Sequence, residues 1–130
     1  ALPDLGYIRD VSNLHRQGRY AEAMQVFAAA DGPHAARARK VIAGYVAYAF
    51  HRVGEVTDSI DGIDRIMGAG FNWAPPSVLV DVLTPRTVVA MIEEAKLEVP
   101  AALEKLARPK KPKRLFEAPN VNIGKYFVAS

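Results

Sequence analysis

The stretch "HAARARKVIAGYVAYAFHRV", residues 34–53, decides the fold. Val41, Tyr45, Tyr48 and Arg52 recur at helical spacing on one stripe, and Ile42, Val46, Ala49 and Val53 form the adjacent stripe. Two neighbouring apolar stripes predict a helix covered on most sides, the central rod of a bundle. Gly44 lets a neighbouring backbone come close. The continuous apolar run, Val41 to Phe50, is ten residues, whereas a membrane span needs roughly 18. The run therefore predicts a buried helix.

Helical signals continue on both sides of this rod. Pro3 suits a first helical turn, Leu5, Ile8, Val11 (or Ser12) and His15 share one face, and Gly18 ends that helix. Tyr20, Ala23, Met24 and Phe27 repeat the period before the break at Asp31-Gly32-Pro33. Downstream, Thr57, Asp58 and Ser59 offer caps for a short helix whose inner stripe is Ile60, Ile63 and Met67. Asp58, Asp61 and Asp64 are expected on its outward face. Pro76-Ser77 starts a helix through Leu83, and Thr84-Pro85 opens another to about Lys96 with Val88, Met91, Ile92 and Ala95 inward. Pro100 opens a last short helix to about Ala107. The expected fold is all-α, a compact bundle of six to seven helices around one long central helix, with an irregular C-terminal tail.

Composition agrees with a folded domain: of 130 residues, 50% are hydrophobic and 24% charged, which excludes disorder along the whole length. One core, not two, is expected at this size. The chain contains no cysteine, so thiolate chemistry and a disulfide framework are excluded and a reducing, cytoplasmic setting is suited. It begins at Ala1 and opens on no signal segment, which suggests a fragment or processed product. The net charge of +3 is uneven, because residues 1–107 carry 11 basic and 13 acidic side chains while "RPKKPKR", residues 108–114, holds five positive charges. This divides the chain into a helical body (1–107), a basic proline-rich linker (108–114) and a docking tail (115–130).

No residue set announces a catalytic centre. His15, His34 and His51 lack metal-ligand spacing and read as surface or boundary residues. Asp58, Asp61 and Asp64 read as a solvated face near a helix N-terminus rather than a cation site. Neither a glycine-rich phosphate loop nor a nucleophile elbow occurs. Arg108, Lys110, Lys111, Lys113 and Arg114 have no interleaved aromatics, so nucleic-acid binding ranks below a solvated linker. No catalytic, cofactor-binding or metal-ligating residue is assigned.

The remaining feature is the loop "MGAGFNWAPP", residues 67–76, with the only tryptophan of the chain. Gly68 and Gly70 allow an exit from the preceding helix, Phe71 and Trp73 turn inward, and Pro75-Pro76 fix an extended lead into the next helix. Gly70, Phe71, Asn72, Trp73 and Pro76 are thus a packed corner between two helices or an interface to a partner. Read with its flanks from Val41 to Leu83, this segment resembles the C-terminal helical domain of 3-hydroxyacyl-CoA dehydrogenases. The matching residues are Gly54-Glu55-Val56, Ile63-Asp64, Met67, Gly70-Phe71-Asn72-Trp73, Pro76, Leu79 and Asp81.

The resemblance implies a domain of the 6-phosphogluconate-dehydrogenase C-terminal type that follows a Rossmann domain. Such a domain serves dimerisation and encloses acyl-CoA while the parent enzyme oxidises 3-hydroxyacyl-CoA with NAD in fatty-acid β-oxidation. NAD and the catalytic His/Glu pair belong to the Rossmann domain, so the expected partners are that domain, a second copy or tandem helical unit, and acyl-CoA. The family's active-site asparagine would fall near Arg39 and is missing, which matches a second, non-catalytic copy. A competing expectation comes from "LHRQGRYAEAMQVFAAA", residues 14–30, which is similar to a tetratricopeptide half-repeat. It implies a free-standing helical protein-interaction module.

Overall fold

Prolines and glycines punctuate the chain as the sequence pattern predicts. In a computed structural model, which describes residues 5–53, 60–65 and 75–115, seven helices follow one another. They are α1 (Gly6–Arg16), α2 (Tyr20–Ala29), α3 (Pro33–His51), α4 (Ile60–Arg65), α5 (Pro76–Leu83), α6 (Pro85–Glu94) and α7 (Ala101–Ala107). Prolines occupy the first turn of α3, α5 and α6, where the missing amide hydrogen is not needed. Gly18 ends α1 at a φ of 74°, with Gly18 N–H bonded to His15 O at 3.0 Å and Arg19 N–H to Leu14 O at 2.9 Å. That pair of bonds closes the last free carbonyls of the helix, and a glycine takes the left-handed turn at least cost.

Only Thr84 separates α5 from α6. Its φ of 77° is unfavourable for a β-branched residue. The same residue repays part of that strain as the N-cap of α6, because its hydroxyl accepts from Thr87 N–H at 3.3 Å. A one-residue corner forces α5 and α6 to turn sharply while keeping both against α3.

The core lies between α3, α5, α6 and α7. Ala43, Val46, Ala47 and Phe50 of α3 meet Leu79, Val80 and Leu83 of α5, Val88, Met91 and Ile92 of α6, and Leu103 of α7. Helix α3, the longest at 19 residues, packs on α2, α4, α5 and α6. The described residues contain no β-strand, and the architecture is an all-α bundle around one long helix.

Two expectations about faces need correction. The second stripe of α3 is buried or half-buried, but the first is only partly covered: Tyr45 and Arg52 are half-buried, while Val41 is 70% exposed and Tyr48 66%. Four of the described helices, α2, α4, α5 and α6, pack on α3 and leave Val41 and Tyr48 exposed. Helix α1 buries none of its residues, and Leu5 and Ile8 are exposed, because α1 rests chiefly on α2. Pro3 lies outside the described residues.

Core and periphery should respond differently to truncation. Leu83→Ala removes a fully buried side chain and is expected to cost about 2–5 kcal/mol in denaturant unfolding. Leu5→Ala on the exposed end of α1 is expected to cost less than about 1 kcal/mol.

Candidate functional site

The corner between α4 and α5 is built around a buried carboxylate. Pro75 and Pro76 lead into α5 and are both fully buried. Pro76 has no amide hydrogen, so Ser77 is the first residue of α5 whose N–H needs a partner. Asp64 of α4, with no exposed surface, supplies it: Oδ1 accepts from Ser77 N–H at 3.0 Å, and Oδ2 accepts from the Ser77 hydroxyl. The carboxylate also sits at the positive end of the α5 dipole, which favours a negative charge there.

This corrects the expectation that Asp64 faces outward. Three-residue spacing with Asp58 and Asp61 suggests a solvated acidic face, but α4 packs on α5, and α5 makes the demand for an acceptor. The available signal was the serine placed directly after two prolines. Asp58 and the side chain of Asp61 lie outside what is described.

Tyr45 of α3 belongs to the same corner. Burial, and then the negative charge of Asp64, push its phenol up to about 12. The phenol on the α3 side of the corner therefore stays neutral at ordinary pH. Ser77 is itself completely buried, so its hydroxyl is closed to substrates. Among the described residues of the corner, the Ser77 hydroxyl and the Asp64 carboxylate are both buried and bonded to each other.

Of the proposed corner or interface residues, Pro76 is buried at the start of α5, while Gly70, Phe71, Asn72 and Trp73 lie outside the described residues. So do Gly54, Glu55, Val56 and Met67. The described part of the dehydrogenase-like pattern is buried or half-buried throughout. Ile63 and Leu79 join the interior, and Asp81 accepts from Leu115 N–H at 2.8 Å.

Arg39 is a second polar group that sequence reasoning placed without seeing its role. It is only 7% exposed. Its Nε donates to Glu94 Oε1 of α6 at 2.9 Å, and Nη1 donates to Ala30 O at 2.6 Å and Phe27 O at 3.4 Å. The guanidinium thus closes the carboxyl end of α2 while pairing with α6. Two further side chains do similar work: Gln25 donates to Leu83 O at the end of α5, and Arg86 donates to Ala107 O and Arg108 O at the end of α7.

The other candidates are accounted for locally. His34 Nδ1 lies 2.7 Å from the Tyr7 hydroxyl, and His51 Nε2 lies 3.2 Å from Glu98 O. Among the described residues no three His, Cys, Asp or Glu side chains gather as a metal site, and no helix is long and apolar enough to cross a membrane. The basic segment is held at one end by Arg86 and at the other by the Leu115–Asp81 bond. With Thr84, Pro85 and Leu106 it borders a shallow cleft of about 120 Å³. Neither a family model, nor a curated protein, nor a solved structure matches the chain.

Asp64→Ala leaves the buried Ser77 amide and hydroxyl without their acceptor, and a loss of about 2–4 kcal/mol in urea unfolding is expected. Ser77→Ala keeps the amide bond and is expected to cost less. Tyr45 gives a pH signature. Its proton is held more tightly in the folded chain, so the contribution is complete below the unfolded value of about 10 and lost as pH rises towards about 12. Tyr45→Phe is expected to flatten the fall in stability across that window.

Proposed function

We propose that this chain is the C-terminal helical domain of an NAD-dependent 3-hydroxyacyl-CoA dehydrogenase, of the second, non-catalytic kind. The observation that carries this reading is the corner at Asp64. Among the described residues, the dehydrogenase-like pattern supplies Ile63, Asp64, Pro76, Leu79 and Asp81, and each has a packing or hydrogen-bonding part in holding α4, α5 and the segment at Leu115 together. An accessible active site would leave its polar members open to substrate. These polar members are consumed in cohesion, which suits a supporting domain.

Arg39 adds to the argument. At the place where the family's asparagine would line an active site, this chain carries a guanidinium bonded to Glu94, Ala30 and Phe27. The domain therefore contributes surface: it docks on a Rossmann domain, on a second copy or on a tandem helical unit, and helps to enclose acyl-CoA. NAD and the catalytic pair reside in the Rossmann domain, and the setting is the cytoplasm, in fatty-acid β-oxidation. The fold type is that of the 6-phosphogluconate-dehydrogenase C-terminal domain.

A tetratricopeptide-like interaction module is the second reading, favoured by the α1–α2 hairpin, which packs with Gly18 at its turn. A peptide-binding solenoid needs about three such pairs, and the helices after α2 vary from 6 to 19 residues without a repeat.

The test compares NAD reduction with 3-hydroxybutyryl-CoA by this chain and by the complete gene product that contains it. Turnover by the complete product and none by the 130-residue chain is the expected result. Turnover by the chain alone, or a complete product with no dehydrogenase activity, would overturn the proposal.

A further inference from the structure

Residues 108–114 carry the whole positive excess of the chain. Residues 1–107 hold 11 basic and 13 acidic side chains, and residues 116–130 hold one of each. The net charge of +3 therefore comes from Arg108, Lys110, Lys111, Lys113 and Arg114, and no acidic residue interrupts them. All five are exposed.

The fold attaches this run to the domain at both ends. At its start, Arg86 Nε donates to Ala107 O at 2.9 Å and Nη2 donates to Arg108 O at 3.1 Å. At its finish, Leu115 N–H donates to Asp81 Oδ1 at 2.8 Å, and the Leu115 side chain packs on the core. Between these points Pro109 and Pro112 border the cleft shared with Pro85 and Leu106. Each proline also fixes its own φ. A charged run tied down in this way has less freedom to lose on binding than a loose tail.

The make-up of the run selects its partner. Between Arg108 and Arg114 there is no aromatic residue and no apolar residue other than proline. The strip offers no platform on which bases stack, the device that single-strand sites use. Leu115, the apolar neighbour of the run, is committed to the core and is not offered to the interior of a bilayer. What the strip presents is closely spaced positive charge, and a duplex presents one phosphate charge per about 1.7 Å of axis. Seven residues reach at most about 25 Å, so the five cations meet phosphates within a single duplex turn of about 34 Å. The net negative balance of residues 1–107 directs a polyanion to this strip.

We propose that residues 108–114 form a phosphate-contacting strip that docks this domain on double-stranded nucleic acid without regard to base sequence. Binding is driven by the release of counterions from the phosphates that the lysines and arginines neutralise. This binding is separate from the dehydrogenase reading and stands if that reading fails.

The probe is a fluorescent DNA duplex of about 20 base pairs, two turns, titrated with the 130-residue chain. Two duplexes of unrelated sequence are expected to bind equally. The slope of log affinity against log salt is expected near about −4.5, which is about 0.9 for each of five phosphates. Lys110→Gln, Lys111→Gln and Lys113→Gln together are expected to bring it to about −2 and to weaken binding at low salt more than about tenfold. Lys111→Gln alone is expected to lower the slope by about 1 and guards against a change in folding. No duplex binding at low salt, or a slope that these variants leave unchanged, overturns the proposal. So does tighter binding of a single strand of the same length. Equal binding of polyglutamate would make the strip a site for acidic proteins and overturn it. Binding to vesicles of phosphatidylcholine and phosphatidylserine but not to the duplex would overturn it in favour of a membrane surface.

Discussion

A buried carboxylate at the amino end of α5 is the constraint on which the other helices depend. Helix α5 gives Leu79, Val80 and Leu83 to the core and touches α2, α3, α4 and α6, so its position sets theirs. Two prolines make its start rigid but leave the Ser77 amide as a buried donor. Asp64 answers that donor from across the corner with both of its oxygens. An uncompensated amide or carboxylate in this place would each cost several kcal/mol, on the order of 1–3 per group or more for the charge. Neither α4 nor α5 is satisfied alone, and together they close the account of polar groups.

The same logic recurs at other helix ends. The carboxyl ends of α2, α5 and α7 receive Arg39, Gln25 and Arg86, each from a different helix. The amino end of α5 receives an anion and two carboxyl ends receive cations, which is the arrangement the helix dipole favours. Short helices gain little from intrinsic propensity. Here their ends are tied to neighbours, so secondary and tertiary structure form as one unit.

Much of the fold was legible because proline and glycine act locally. The starts of α3, α5, α6 and α7 and the end of α1 follow from residues within one turn of each boundary. The inner stripe of α6 was legible for a similar reason: Val88, Met91 and Ile92 report their own burial through spacing. What spacing does not report is which helix covers which face. Val41 and Tyr48 read as buried because apolar stripes usually are, yet the described helices that pack on α3 leave them exposed. Asp64 and Arg39 were hidden for a different reason. Their partners are 13 and 55 residues away, and a long-range polar bond leaves no periodic trace. Gly70 to Trp73 lie outside the described residues, so the candidate site is seen through its flanks.

The supporting role assigned to the corner depends on Asp64 holding Ser77 for as long as the chain is folded. Native-state hydrogen exchange at the Ser77 amide measures this directly. Exchange as slow as that of the innermost amides of α3, and released only by global unfolding, is the expected result. Rapid exchange at Ser77 while α3 stays protected would mean that the corner opens locally, and that the carboxylate at the head of α5 is not what the bundle is built on.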